Sequence, residues 1–83
     1  MFKYLKENDF FTTPDICLGA TILYFGYKIE CVENKNNKTH FSFRRDKKLD
    51  DLIQDHLNHL LKVEPMMFFE KTKELKKRIH FGI

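Results

Sequence analysis

The hydrophobic positions divide the chain into one apolar segment, two alternating segments and two segments with helical spacing. In the apolar segment, no charged residue occurs from Ile16 to Tyr27. Thr13 as N-cap, Pro14 at the first helical position and Gly26 at the end predict a helix over this segment. A helix that is apolar on every side must be covered on every side. We therefore expect the central core helix of a small domain, or core on one side and a subunit interface on the other.

Two alternating segments follow, and they predict a β-hairpin. Tyr27, Ile29 and Cys31 alternate with Lys28, Glu30 and Val32, and later Thr39, Phe41 and Phe43 alternate with His40, Ser42 and Arg44. The polar, Asn-rich residues 33–38 between them are typical of a turn. Strands so close in sequence pair antiparallel. We expect one face of the pair to cover the central helix and the other to stay open to water or a partner.

The remaining residues predict two helices. The first begins at the N-cap Asp46 and runs to about Leu61, with an apolar stripe at helical spacing: Leu49, Leu52, Ile53, His56, Leu57 and Leu60. The last begins at Pro65, and its inward stripe is Phe68, Thr72, Leu75 and Ile79. The expected fold is α+β, in the order helix, strand, strand, helix, helix. A two-stranded antiparallel hairpin packs on the apolar central helix in a single domain, 12–83, and residues 1–11 form an N-terminal arm.

Composition supports one folded domain. The chain has 83 residues, 42% of them hydrophobic, with nine phenylalanines, which is enough for one core and argues against disorder. Two cysteines make no disulfide framework, and Cys17 and Cys31 are expected to be small buried side chains with free thiols. No apolar leader is visible at the N-terminus, so a reducing cytoplasm is the expected location.

Charge changes the picture more than composition does. The net charge is only +3, but six of fourteen residues from Lys35 to Lys48 are basic, and five of ten from Lys71 to His80. Such segregation predicts a protein surface that binds the phosphates of DNA or RNA. The candidate contacts are Lys35, Lys38, His40, Arg44, Arg45, Lys47 and Lys48 on the hairpin and Lys73, Lys76, Lys77 and Arg78 on the last helix. The alternative is a solvated surface that prevents edge-to-edge aggregation.

The apolar surplus predicts a second kind of surface. Met66, Met67 and Phe69 widen the apolar area at the start of the last helix, and methionine and aromatic residues are favoured in protein interfaces. The alternative function is therefore a protein–protein interaction module, an adaptor or inhibitor, in one version a homodimer. Burial in the core alone also accounts for these residues.

The pattern contains no catalytic or cofactor constellation. His56 and His59 have the i, i+3 spacing of metal ligands, but nothing completes a metal site. Cys17 and Cys31 have no histidine beside them in sequence, and no Gly-rich phosphate loop is present. The apolar segment, at about 12 residues, is too short for a bilayer, which takes about 20. We expect a non-enzymatic protein with no catalytic residue, metal, cofactor, small-molecule substrate or membrane span.

Three stretches carry a family resemblance. FFTTPDICLGATILYFGYKIECVE, THFSFRRDKKLDDLI and KVEPMMFFEKTKELKKRI together resemble a family of small uncharacterised domains from phages and environmental prokaryote genomes. Its members share a Thr-Thr-Asp helix start, a Gly-(Tyr/His)-Lys strand entry, an aromatic second strand, an acidic helix and a Lys-rich last helix. Here Pro14 is inserted before Asp15. The resemblance covers about residues 10–80 and implies no activity, but it favours a small accessory role.

Overall fold

Three strands and three helices make up the part of the chain that the structure describes. This computed structural model describes residues 9–81, without the side chain of Phe81. The elements, in chain order, are β1 (Phe10–Thr13), α1 (Ile16–Tyr24), β2 (Ile29–Lys35), β3 (Lys38–Arg44), α2 (Lys47–Leu57) and α3 (Pro65–Phe81). The α+β class is confirmed. Of the predicted N-terminal arm, residues 1–8 lie outside the described residues, and residues 10 and 11 belong to β1.

The sheet has three antiparallel strands in the order β1-β3-β2, so the predicted two-stranded hairpin is incomplete. β1 pairs with the far side of β3, where Phe11 lies opposite Phe43 and Thr13 opposite Phe41. Only four residues form β1, because Pro14, which has no N–H to donate, follows it directly. The third strand makes β3 the central strand, and a three-stranded sheet is more stable than an isolated hairpin.

A β-bulge in β2 changes which of its side chains face the core, compared with the prediction. Ile29 lies opposite Phe43 and Cys31 opposite Ser42, so two residues of β2 correspond to one step of β3. The extra residue reverses the alternation from that point. Val32, opposite Phe41, therefore packs on the core, while Cys31 is exposed. The prediction that Cys31 is buried is wrong for this reason.

The turn between β2 and β3 is confirmed. Asn36 and Asn37 both have positive φ, 52° and 66°, the pattern of the two-residue turn whose twist matches a hairpin. Asparagine tolerates this conformation better than most residues. The Asn-rich segment thus fixes where the strands turn.

The core lies between one face of the sheet and the helices. Phe41 and Phe43 on β3, Ile22 on α1, Leu49 on α2 and Leu75 on α3 have no exposed surface. α1 lies at the centre of the helical layer and contacts both α2 and α3. A Cβ on Gly19 would come within 3.0 Å of Leu75 Cδ2, so glycine allows α1 and α3 to approach this closely.

The start of α1 differs from the prediction. Asp15, not Thr13, is the N-cap, and its Oδ1 accepts from the N–H groups of Cys17 and Leu18. Thr13 belongs to β1, and its Oγ1 accepts from the N–H of Asp15. The helix is covered from Leu18 to Leu23, but Cys17 is exposed. The expected burial of Cys17 is wrong because it lies in the first turn, on the side away from the sheet.

Helix ends are set by left-handed residues. Gly26, at φ 100°, follows α1 as predicted, and the N–H of Tyr27 reaches back to Ile22 O. α2 begins after the predicted N-cap Asp46 but ends at Leu57, short of the predicted Leu61. His59 takes the left-handed position there, at φ 59°. Sequence reasoning missed this end because glycine, not histidine, usually marks it.

α2 and α3 both run antiparallel to α1. Tyr27 Oη donates to Asp46 Oδ1 at 3.1 Å, which brings the end of α1 to the start of α2. The hydroxyl of Tyr24 accepts from Glu64 N–H at 2.9 Å, so α3 begins beside the same end of α1. The predicted inward stripe of α3 is confirmed at its centre, where Leu75 is fully buried.

Candidate functional site

The outer face of the sheet is the candidate nucleic-acid surface. Phe41 and Phe43 point to the helices, so their neighbours on β3 point away from the helices. These neighbours are Lys38, His40, Ser42 and Arg44. No described helix packs on this side. The predicted outward set of β3 is therefore together on the central strand, and we call this surface the sheet face.

The two edge strands contribute side chains to the sheet face. Phe10 pairs with Arg44, and the guanidinium lies 5.2 Å from the centre of the phenyl ring. Thr12 Oγ1 and Ser42 Oγ are 2.9 Å apart in a hydrogen bond. On the other side, Cys31 lies opposite Ser42. The face thus offers an aromatic–guanidinium stack at one end and the exposed Thr12 hydroxyl, bonded to the buried Ser42, at its centre.

The other end of the sheet face is cationic, with one carboxylate among the cations. Lys35 pairs with Lys38 across the turn. Lys35 Nζ also lies 3.4 Å from Glu33 Oε1, and Glu33 is the cross-strand neighbour of His40. His40 Nδ1 is 3.2 Å from Lys38 O. The face is positive in balance, and Glu33 is the group that weakens its attraction for an anion.

The basic residues that follow β3 do not lie on the sheet face. Arg45 Nε donates to Asp50 Oδ1 at 2.9 Å, and that hydrogen bond and charge raise the pKa of the arginine. Lys47 Nζ pairs with Asp51 Oδ2 at 3.3 Å. Lys48 is exposed on α2. The structure places these three of the predicted contacts at the start of α2, with two of them engaged by carboxylates.

The predicted contacts on the last helix lie in the helical layer. Lys73 Nζ is 3.5 Å from Glu70 Oε2, Lys76 and Lys77 are exposed, and Arg78 lines a groove with Lys71, Glu74 and the start of β2. The two basic runs approach each other at the hairpin turn, where Ile79 and Lys38 line one cleft. The outward row of β3 and the lysines of α3 belong to different layers of the fold, the sheet and the helices.

The predicted protein-interface residues are exposed but lie on different flanks of α3. Met66, Met67 and Phe69 have 68%, 57% and 56% of their surface exposed. Met67 has the helical phase of Lys71, which lines the groove beside β2, whereas Phe69 lies on the opposite flank. Leu57 and Leu60 are also exposed, because α2 ends before the stripe does.

A shallow cleft opens on the side of the helices away from the sheet. Its walls come from α1, from the end of α2, from the connection between α2 and α3 and from the start of α3: Cys17, Thr21, His56, His59, Leu61, Val63 and Phe68. Cys17 is thus exposed on the opposite side of the molecule from Cys31. Sequence reasoning placed neither thiol at the surface.

Residues 9–81 contain neither a metal-binding cluster nor a helix suited to cross a membrane. Within residues 9–81, no three His, Cys, Asp or Glu side chains converge as a metal site would need. His56 and His59, the weak metal candidate, line the helical cleft instead. No described helix combines the length and hydropathy needed to cross a bilayer.

One known family matches this chain along nearly its whole length. The profile of a family described as a domain of unknown function (DUF5659) matches residues 8–82. The chain belongs to this family. No curated protein and no solved structure matches the chain. The expected resemblance to an uncharacterised family is confirmed, and the DUF5659 domain here is the three-stranded sheet with three helices on one face.

Proposed function

We propose that this DUF5659 domain is a non-enzymatic accessory protein that binds nucleic acid on its sheet face, chiefly through phosphate contacts. The observation that supports the proposal is the outward row Lys38, His40, Ser42 and Arg44 on the central strand, with Lys35 beside it. Exposed Cys17 and Cys31 fit action in a reducing cytoplasm, where both stay thiols. A phage or prokaryotic origin remains the prediction of the sequence.

Single-stranded nucleic acid fits this face better than a duplex. Lys38 and Arg44 are six residues apart on β3, roughly 20 Å at the usual rise of a strand. A nucleic-acid strand laid along β3 would meet a cation at each end of that span, with His40 and the exposed Thr12 hydroxyl between them. The Phe10–Arg44 stack offers a plane on which an unpaired base can lie, as aromatic and guanidinium groups do in single-strand readers.

The proposal is tested by fluorescence anisotropy with single-stranded DNA and RNA of about 12 nucleotides and with the matching duplexes. At about 50 and 200 mM salt, a phosphate-dominated complex should weaken steeply, with a log–log slope near 0.7 per phosphate for a single strand. We expect binding at the lower salt and a preference for single strands. No binding of any form at the lower salt would overturn the proposal.

Removing the carboxylate of Glu33 should strengthen binding. Glu33→Gln releases Lys35 from its ion pair and removes a negative charge opposite His40. Affinity for single strands at low salt should rise about twofold to fivefold, as for one exposed charge contact. The matched control is Glu74→Gln, which breaks a Lys–Glu pair of the same 3.4 Å length on α3. If the two substitutions raise affinity equally, the effect comes from net charge and not from a contact on the sheet face.

A second candidate function is protein interaction, and the exposure of Met66 and Phe69 favours it. Large exposed apolar side chains in a small domain commonly mark a contact surface. This candidate uses the helical layer and is compatible with the first, because the sheet face lies on the other side.

A further inference from the structure

Arg44 presents an exposed guanidinium that is held in place without a carboxylate partner. Its guanidinium carbon lies 5.2 Å from the centre of the Phe10 ring, and this cation–π contact orients the side chain. Within residues 9–81 Arg44 forms no ion pair, whereas the next residue, Arg45, is bound by Asp50. Because the N–H donors of arginine form a planar fork, Arg44 offers an oriented and unused pair of donors at one end of the sheet face.

The β-bulge brings a carboxylate to the same end of the sheet face. Ile29 packs on the core, so the following residue, Glu30, points to the opposite side, where Cys31 is exposed as well. The bulge places Glu30 and Cys31 together opposite Ser42. Ser42 and Arg44 are two residues apart on β3, so Glu30 is a diagonal neighbour of Arg44 across the sheet.

Glu30 is free to accept hydrogen bonds from a ligand. Within the part of the chain that the structure describes, its carboxylate has no ion-pair partner, and it is exposed. Lys28, just before β2, lines the groove beside α3 on the helical side. The end of the sheet face at Arg44 therefore combines a fork of donors with a carboxylate that only accepts.

This combination distinguishes a base from a phosphate. A phosphate accepts hydrogen bonds from arginine but is repelled by a carboxylate beside it. Guanine carries two adjacent acceptors, O6 and N7, which arginine binds with two parallel hydrogen bonds. Next to them lie two adjacent donors, N1–H and the N2 amine, which a carboxylate can accept. Of the four bases, only guanine presents such an acceptor pair beside such a donor pair.

We propose that this end of the sheet face selects an unpaired guanine, with Arg44 on O6 and N7, Glu30 on N1–H and the N2 amine, and Phe10 orienting the guanidinium. This guanine site rests on the proposed function, because it assigns one base of the single strand that the sheet face binds. The remaining N–H groups of Arg44 stay available to a phosphate. Lys35 and Lys38, at the other end, bind phosphates whatever the base.

Fluorescence anisotropy with single-stranded DNA of about 12 nucleotides tests the guanine site. One strand contains only thymine, and the other has a single guanine at its centre. The guanine strand should bind at least about fivefold more tightly, the lower end for one bidentate base contact. A single adenine or cytosine at that position should bind like thymine. Replacing the guanine by 7-deazaguanine, which lacks N7, or by inosine, which lacks the N2 amine, should each remove part of the gain.

Two variants at exposed positions separate base recognition from charge. Arg44→Lys keeps the charge but removes the fork, so the preference for guanine should fall below about twofold. Glu30→Gln should strengthen binding of the thymine strand about twofold to fivefold, because a negative charge is lost, but should give the guanine strand no gain. The matched control Glu33→Gln removes a carboxylate at the other end and should strengthen binding of both strands equally.

The outcomes distinguish the guanine site from the proposed function. Equal affinity for the two strands, with binding that still weakens with salt, would overturn the choice of guanine and leave phosphate binding in place. A guanine preference that survives Arg44→Lys, or an equal gain of both strands in Glu30→Gln, would overturn the assigned contacts. Binding of neither strand at about 50 mM salt would overturn the proposed function and the guanine site with it.

Discussion

Phe41→Ala should remove a large part of the stability of the domain. Phe41 is fully buried, with Val32 and Thr13 on either side in the sheet and Gly19 of α1 above it. Truncating a phenylalanine at such a position costs about 3–5 kcal/mol, against a total of about 5–15 kcal/mol for a typical domain. Urea unfolding followed by circular dichroism should show a large drop in the midpoint, or a chain unfolded without denaturant.

The matched control is Phe25→Ala. Phe25 is the C-cap residue of α1, 42% exposed, and its ring contacts Tyr24 at 5.1 Å between centroids. Removing it should cost about 1 kcal/mol, the usual size for a partly exposed side chain. Equal losses at Phe41 and Phe25 would contradict the assignment of the core to the helix-facing side of β3.

The second large effect is expected for Lys35, Lys38 and Arg44 changed together to alanine. Each cation removed from an exposed phosphate contact costs roughly 1–1.5 kcal/mol, so affinity should fall roughly a hundredfold or more. The salt slope should fall by about 2, since each contact accounts for about 0.7 on a single strand. Both quantities come from one set of anisotropy titrations.

A control of equal charge separates the surface from the net charge. Lys47, Lys62 and Lys77 are exposed on α2, on the connection and on α3, and none lies on the sheet face. Their triple alanine variant loses the same three charges and should change affinity by less than about threefold, the effect of distant screened charge alone. If this control loses as much affinity as the first variant, the contacts are spread over the whole basic surface.

The sequence predicted the elements whose signals are local. Three residues mark helix ends as predicted: Asp46 is the N-cap of α2, Pro65 is the first residue of α3, and Gly26 has a positive φ just after α1. The alternation of β3 predicted its two faces correctly, because Phe41 and Phe43 leave one solution for the buried side. The outward row of the candidate site was therefore predictable residue by residue.

What the sequence did not predict depends on pairing between distant segments. β1 is only four residues long, and it forms because the edge of β3 is available for pairing. The residues around Phe11 carry no local pattern that predicts this pairing. The bulge in β2 moved Cys31 outward after a single extra residue, and local alternation gives no sign of it. The separation of the hairpin cations from those of α3 likewise follows from the layer order, which short-range spacing cannot express.

Nucleic acid bound on the sheet face should shield the thiol of Cys31, so the reactivity of this thiol tests the proposed binding surface most directly. Cys31 lies on that face beside Ser42, and Cys17 lies on the helical side as an internal reference. With saturating single-stranded oligonucleotide at low salt, labelling of Cys31 should slow severalfold while the rate for Cys17, at fixed protein concentration, stays constant. A bound complex that leaves Cys31 as reactive as before would contradict the account.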